Sequence, residues 1–347
     1  MKDLHSGATM REGGQGGVRG AWALLVCLIA GSVVACGRSP GGAGTHQPTS
    51  IAFAVNIGGE VEPGLYLMDA GGQNTRQLVP LDPFDAYIVE IVWSPDGEKI
   101  AYALEEGWPP SLWVVELQTG NTIRVADEVS PVILNWSPDS QQIVYLKGSE
   151  MRMVNADGSE DRRLAEGYAP VWSPDGEVIA YNSGNALLLI RPDGSEQVSV
   201  RQAIGKELIP WGWSPDGEWI LITEGVGVMD DIVLVSRDGS EQVRVTNTPN
   251  VDDRFPRLSP DGQWVAYFNR YEGVQECEIV VIRKDGSDAR RLTADAEEYN
   301  GISWSPDSQA LVYATWDGEV IRVEIASGEK TTLTAQAVAG EYPVYAP

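Results

Sequence analysis

Histidine is almost missing from this chain. Its 347 residues hold two, His5 and His46, both ahead of residue 51. Residues 51–347 therefore cannot build a Ser-His-Asp triad or an imidazole-ligated zinc, iron or manganese site. Cysteine is nearly as scarce. Downstream of Cys27 and Cys36 only Cys277 remains, so no disulfide can form within that part. Positive charge is short too, with 25 Lys and Arg against 50 Asp and Glu and a net charge of −25. Such a balance excludes nucleic acid and anionic membrane surface as partners and favours cationic groups or divalent cations. Phenylalanine occurs four times, whereas Trp and Tyr occur twelve times each, beside 38 Gly and 21 Pro. That mixture predicts an all-β chain with many tight turns.

Long apolar runs are also lacking, save one at residues 21–36, "AWALLVCLIAGSVVAC". It falls short of the roughly 20 residues of a spanning helix but suits the core of a signal peptide, with Lys2, Arg11 and Arg19 ahead of it. The run ends in Val33-Val34-Ala35-Cys36, which resembles the bacterial lipoprotein signal. The resemblance implies cleavage before Cys36 and lipid on that residue. Residues 1–35 are then a lipoprotein signal peptide and residues 36–50 a flexible Gly/Pro/Ser tether, long enough to hold a domain just off a membrane. The tether contains "GRSPG", a formal G-x-S-x-G match. With no strand-to-helix turn and no base it carries no catalytic meaning.

From residue 51 the chain repeats itself. The unit "WSPDGxxIAY" begins at Trp93, Trp136, Trp172, Trp213, Leu258 and Trp304, with proline-to-proline spacings of 43, 36, 41, 45 and 46 residues. That is the period of a four-stranded propeller blade. Each unit has a second half, such as "IVLVSRDGSEQVRVT" at residues 232–246. Both halves read as hairpins: Pro presets φ in "SPDG", Asp caps the turn, and Gly takes the left-handed position. Ser140 and Ser308 replace that glycine in two units, at a cost of about 1 kcal/mol each if the geometry is kept. The "SPD" aspartates, Asp96, Asp139, Asp175, Asp216, Asp261 and Asp307, read as turn caps. Continuous apolar triplets such as "IAY" fit strands covered on both faces, and the repeated tryptophans fill the wedges between blades.

Strands of the "IAY" type begin at Ile51, Ile100, Ile143, Ile179, Ile220, Val265 and Leu311, one more than the "SPD" motifs. The first lacks a preceding "WSP" strand, and the closing "YPVYAP" supplies it. The expected fold is an all-β, seven-bladed propeller of four-stranded blades over residues 51–347. Its ring closes when the C-terminal strand joins the first blade as the innermost strand, so no blade edge is left open. Pro170, Pro256 and Pro343 share one repeat position, tolerable on a strand that lines the channel.

The pattern P-x-W-S-P-D-G-x-x-I-A-Y followed by D-G-S-x-x-x-R-L-T resembles the TolB-like β-propeller repeat, a WD-repeat-like variant. The likeness covers essentially all of residues 51–347, on turn and core positions. It implies the fold and an envelope setting, periplasmic or extracellular, and leaves the function to the site. TolB itself is six-bladed with an extra amino-terminal domain, against seven blades here. Propeller peptidases of this kind carry a hydrolase domain, for which residues 51–347 leave no room. Seven-bladed pectate-oligomer lyases with this repeat hold their metal through histidines, which residues 51–347 lack.

What remains for chemistry is carboxylate. In–out–in–out strands place the "SPDG" and "DGS" turns on one face and the longer connections on the other. That loop face holds many acids, against Arg201, Lys206 and Arg254. Acids among aromatics suit a recognition surface, and the candidate contact residues are Asp85, Tyr87, Glu90, Tyr168, Trp211, Asp252, Asp253, Arg254, Glu298, Tyr299, Asn300, Glu341 and Tyr342. Trp108, in "EEGWPPSLW", adds an exposed loop contact. The reading is a monomeric, lipid-anchored envelope platform for a basic peptide or protein, with no catalytic residue assigned. Ca²⁺ held by oxygens at one end of the channel is a possible cofactor. A calcium-dependent hydrolase of lactonase type and a glycan-binding propeller are the alternatives.

Overall fold

The computed structural model describes residues 50–56, 61–82, 86–130, 134–225, 230–248, 251–271, 277–296, 301–315, 318–334 and 340–347. They form seven four-stranded antiparallel sheets, one for each repeat. Blade 1 runs, from the channel outward, Gly340–Tyr345, Ser50–Val55, Gly64–Asp69 and Arg76–Pro80. Blades 2 to 7 follow in chain order, with inner strands Tyr87–Trp93, Asn135–Trp136, Tyr168–Trp172, Glu207–Trp213, Val251–Leu258 and Ile302–Trp304. These inner strands touch one another in cyclic order, and the outermost strands face solvent. The second and third strands are buried almost throughout because a neighbouring blade covers each of their faces.

The repeated tryptophans make the seams. Trp136 donates its indole N–H to the carbonyl of Val92 (3.2 Å), Trp213 to Val171 (3.2 Å) and Trp304 to Arg257 (3.0 Å). Each acceptor sits one residue before the equivalent position of the preceding blade. Trp93 obeys the same rule across the ring closure, donating to Val344 (3.1 Å). Trp172 departs from it: its buried Nε1 has no partner among the described residues. There the preceding blade offers Asn135, whose Oδ1 accepts the Trp172 backbone N–H instead (3.0 Å).

The C-terminal strand closes the ring as the sequence predicts. Ile51 pairs with Tyr345, Ala52 with Val344, Ala54 with Glu341 and Val55 with Gly340. A bulge interrupts this pairing, and similar irregularities recur beside Pro170, Pro210 and Pro256. Prolines at these positions cost no ladder bond, because an inner strand pairs on one side only. The residues before two of them, Ala169 and Phe255, take φ of 55° and 49°.

Candidate functional site

The two faces of the ring differ in kind. On the turn face each "SPD" serine donates to the aspartate two residues on (2.6 Å for Ser94 to Asp96), and the same aspartate caps the N–H beyond, as in Glu98 to Asp96 (3.0 Å). The pattern recurs at Asp139, Asp175, Asp216, Asp261 and Asp307. These aspartates are turn caps. The loop face is irregular, and four of the six exposed large apolar side chains among the described residues lie at it: Tyr87, Trp108, Ile204 and Tyr271.

Several candidates fall elsewhere. Cys36, Asp85, Glu298, Tyr299 and Asn300 lie outside the described residues. So do the side chains of Glu341 and Tyr342, whose backbone belongs to the closing strand. Tyr87 is exposed at the start of its strand, opposite Glu105. Tyr168 is half-buried, its hydroxyl pushed up to about 12 by burial and by Glu207. Trp211 is buried, donating to Thr223 Oγ1 (3.1 Å) and packing edge-on against Phe255 (5.3 Å). It backs the site rather than facing solvent. Glu90 is buried on the inner strand of blade 2 and accepts the Leu134 N–H (3.4 Å). Its charge is felt by Arg257, buried on the inner strand of blade 6 with its guanidinium 5.4 Å from the Trp211 ring. Burial pushes that guanidinium down to about 10, and Glu90 partly offsets the effect.

Three candidates come together at the seam of blades 5 and 6. Asp252 and Asp253 open the inner strand of blade 6, and both are buried. Arg254 Nε bonds Asp252 Oδ2, and Arg270 lies 3.9 Å from the same oxygen. Asp253 accepts from Thr248 Oγ1 (2.6 Å) and Asn269 Nδ2 (3.2 Å). Asp230, at the start of a blade 5 strand, donates its backbone N–H to Asp252 Oδ1 (3.3 Å). Its own carboxylate accepts no hydrogen bond from the described residues. Burial raises all three carboxyls, Asp230 to about 7, with Asp252 adding to it, and Asp253 to about 6.

Asp230, Asn269 and the threonines escaped the sequence reading because no motif marks them. A repeat-by-repeat comparison finds Asn269 aligned with Glu224 of the preceding blade. The reading of the loops counted too few cations. Arg124, Lys147, Arg163, Arg244 and Arg270 stand on the strands that lead into the loops. Lys147 pairs with Glu128 (2.6 Å), Arg124 with Asp127 (2.6 Å), Arg163 with Glu166 (3.1 Å), and Arg244 with Asp231. Much of the loop-face acid is thus paired locally. Among the described residues no group of three or more His, Cys, Asp or Glu side chains could hold a metal ion.

Comparison with known proteins agrees with this architecture. A TolB homolog of Chlorobaculum tepidum is 28% identical over 128 residues, 34% of this chain and 27% of that protein. The chain thus spans about a quarter of that curated relative's length. The crystal structure of TolB from Acinetobacter baumannii superposes with a TM-score of 0.58 at 19% identity, covering 86% of this chain and 67% of that one. An oligogalacturonate lyase in complex with manganese gives 0.59 at 14% identity, covering 82% and 84%. At such identities these likenesses show the fold alone. The sequence profile of the TolB beta propeller domain matches residues 26–212 and 150–347. The chain belongs to the TolB beta propeller domain family.

Proposed function

We propose that this protein is an exported, lipid-anchored propeller of the bacterial envelope that docks a basic protein or peptide on its loop face. The observation that carries the reading is the asymmetry of the faces. The turn face spends its aspartates on its own turns, whereas the loop face exposes Tyr87, Trp108, Ile204 and Tyr271 beside buried carboxylates. Apolar contacts ringed by charge are what a protein partner needs.

The topology supports one orientation of the platform. Ser50–Val55 occupies the place that follows an "SPDG" turn in the other blades, so the tether joins the ring on the turn face. A lipid on Cys36 then holds the turn face toward the membrane and presents the loop face away from it. Cys36→Ala should release the protein into the soluble fraction; continued membrane association refutes the anchor.

Docking is tested by placing a photo-crosslinking amino acid in the full chain, in cells. The positions are Trp108 and Ile204 on the loop face, and Glu196 and Glu241 on the turn face. Protein adducts should form from the first pair. Adducts confined to the second pair overturn the reading.

A further inference from the structure

The seam between blades 4 and 5 shows what a buried acceptor here takes. Glu224, 5% exposed, is the last residue but one of the second strand of blade 5. It is gripped by Lys206 of the preceding connection, Nζ at 2.7 Å on Oε1, and by Arg201 of the outer strand of blade 4 on Oε2, with Arg244 4.0 Å from Oε1. Burial pushes the Glu224 carboxyl up, but Lys206 and Arg201 outweigh it and leave the group below its ordinary value.

The next seam repeats the backbone and omits the cations. Leu208 pairs with Glu224 in blade 5, and Asp253 with Asn269 in blade 6. In that register Asn269 stands where Glu224 stood, Val251 replaces Lys206, and Thr246 replaces Arg201. The acceptors have multiplied meanwhile. Asp253 is fully buried, and Asn269 is 6% exposed with its Nδ2 on Asp253 and its Oδ1 lacking any partner among the described residues. The carboxylates that Asp253 feels are Asp231 and Asp252, and Asp230 lies beside Asp252, coupled to it, to Glu207 and to Arg254. Arg254 and Arg270 are drawn to Asp252, and Arg244 to Asp231. A buried carbonyl oxygen without a donor, beside carboxylates raised by burial, calls for N–H donors carrying positive charge.

We propose that the seam between blades 5 and 6 receives the primary ammonium of a lysine borne by the docking partner, held by Asp253 and the Asn269 carbonyl, in the role that Lys206 plays one seam earlier. This deepens the platform reading and rests on it. An ammonium, compact and with three donors, suits acceptors whose counterpart one seam earlier already takes one.

The test uses the ¹⁵N-labelled full chain, titrated with butylammonium and with N-acetylated pentapeptides of sequence Gly-Gly-X-Gly-Gly, X being lysine or norleucine, so that the lysine side chain is the one ammonium the peptides carry. The amide resonances of Asp253 and Asn269 should shift with butylammonium and with the lysine peptide, and not with the norleucine peptide. Asp253→Asn should weaken both by roughly thirtyfold. Val251→Lys restores the missing cation in cis and should abolish binding while leaving the rest of the spectrum in place. Equal response to norleucine, the same shifts with Ca²⁺, or undiminished binding by Val251→Lys overturns the site. Response to butylammonium without the lysine peptide keeps the ammonium site and overturns the protein-borne lysine. Loop-face crosslinks without any amine response leave the platform standing and remove this anchor.

Discussion

Ser140 and Ser308 sit in the left-handed region, φ 60° each, where the other "SPDG" turns have glycine. The structure shows what offsets the strain. Ser140 Oγ accepts the backbone N–H of Asp96 (3.0 Å), and Ser308 Oγ that of Asp261 (3.0 Å), each in the turn of the preceding blade. Ser140→Ala keeps the strain and loses the bond, so it should cost about 1–2 kcal/mol in urea unfolding. Ser140→Gly exchanges the one for the other and should lie within about 0.5 kcal/mol of the parent. No loss in Ser140→Ala would show that the hydroxyl contributes nothing, and equal losses in both variants would show that the left-handed φ costs nothing. The buried aspartates carry a second residue-scale prediction. Asp230 and Asp253 bind protons more tightly in the fold than in the unfolded chain, because burial raises them to about 7 and about 6. Protonation therefore favours the fold. Their contribution is full below about pH 4 and is lost as pH rises through 6 to 7. The charges facing them are Asp231, Asp252, Glu207, Arg244, Arg254 and Arg270. Asp230→Asn should raise stability by about 1–3 kcal/mol at pH 8 and leave it unchanged at pH 4. A gain at both pH values would detach the effect from ionisation.

At the scale of the element, four of the seven seams are held twice. One tie is the indole bond near the inner strand, and the other joins turn to turn. In the blades that keep glycine, its Cα side packs on the proline of the preceding turn. A Cβ at Gly262 would stand 3.0 Å from Pro215 Cδ, and at Gly97 4.0 Å from Pro347 Cγ. Trp136 and Trp172 allow the indole tie to be weighed. Both are buried, but Trp136 has its carbonyl acceptor and the Trp172 Nε1 has none among the described residues. Trp136→Phe should thus cost about 1 kcal/mol more than Trp172→Phe, since only the first leaves a seam carbonyl unpaired. Equal costs in denaturant titrations would reduce the tie to packing. Elements were the level at which the sequence spoke most clearly. "SPDG", "IAY" and the tryptophans each encode one turn, one buried strand and one wedge, and repetition makes the register visible. The candidate site was legible only in part. Asp252, Asp253 and Arg254 stood out as a charged loop, whereas Asp230 and Asn269 acquire meaning from the neighbouring blade across the seam, and no local pattern records that neighbour.

At the scale of the molecule, seven wedges close a ring only if the first and last blades share a sheet. Here one strand of eight residues' reach does it. Gly340–Tyr345 pairs with Ser50–Val55, and Val344 accepts the indole of Trp93 in the next blade. Tyr345 donates its backbone N–H to Ser303 Oγ (3.1 Å), and its hydroxyl accepts from Arg322 Nε (3.1 Å), both in the blade before. Pro347 stands where the other repeats have the proline of "SPD", against Gly97. The chain's last residues thus do for blade 1 what an internal motif does for every other blade. Deleting residues 340–347 removes the pairing, both seam ties and the cover over a fully apolar strand edge. Such a loss is worth several kcal/mol, which in a domain of this size lowers Tm by roughly 10 °C or more. The opened edge of Ser50–Val55 is also free to pair with another chain, so the truncated protein should form concentration-dependent oligomers. Deleting residues 346–347 alone keeps every ladder pair and should cost far less. An unchanged Tm and a monomer after the longer deletion would mean that the ring holds without its clasp. Packing between inner strands alone would then have to account for closure.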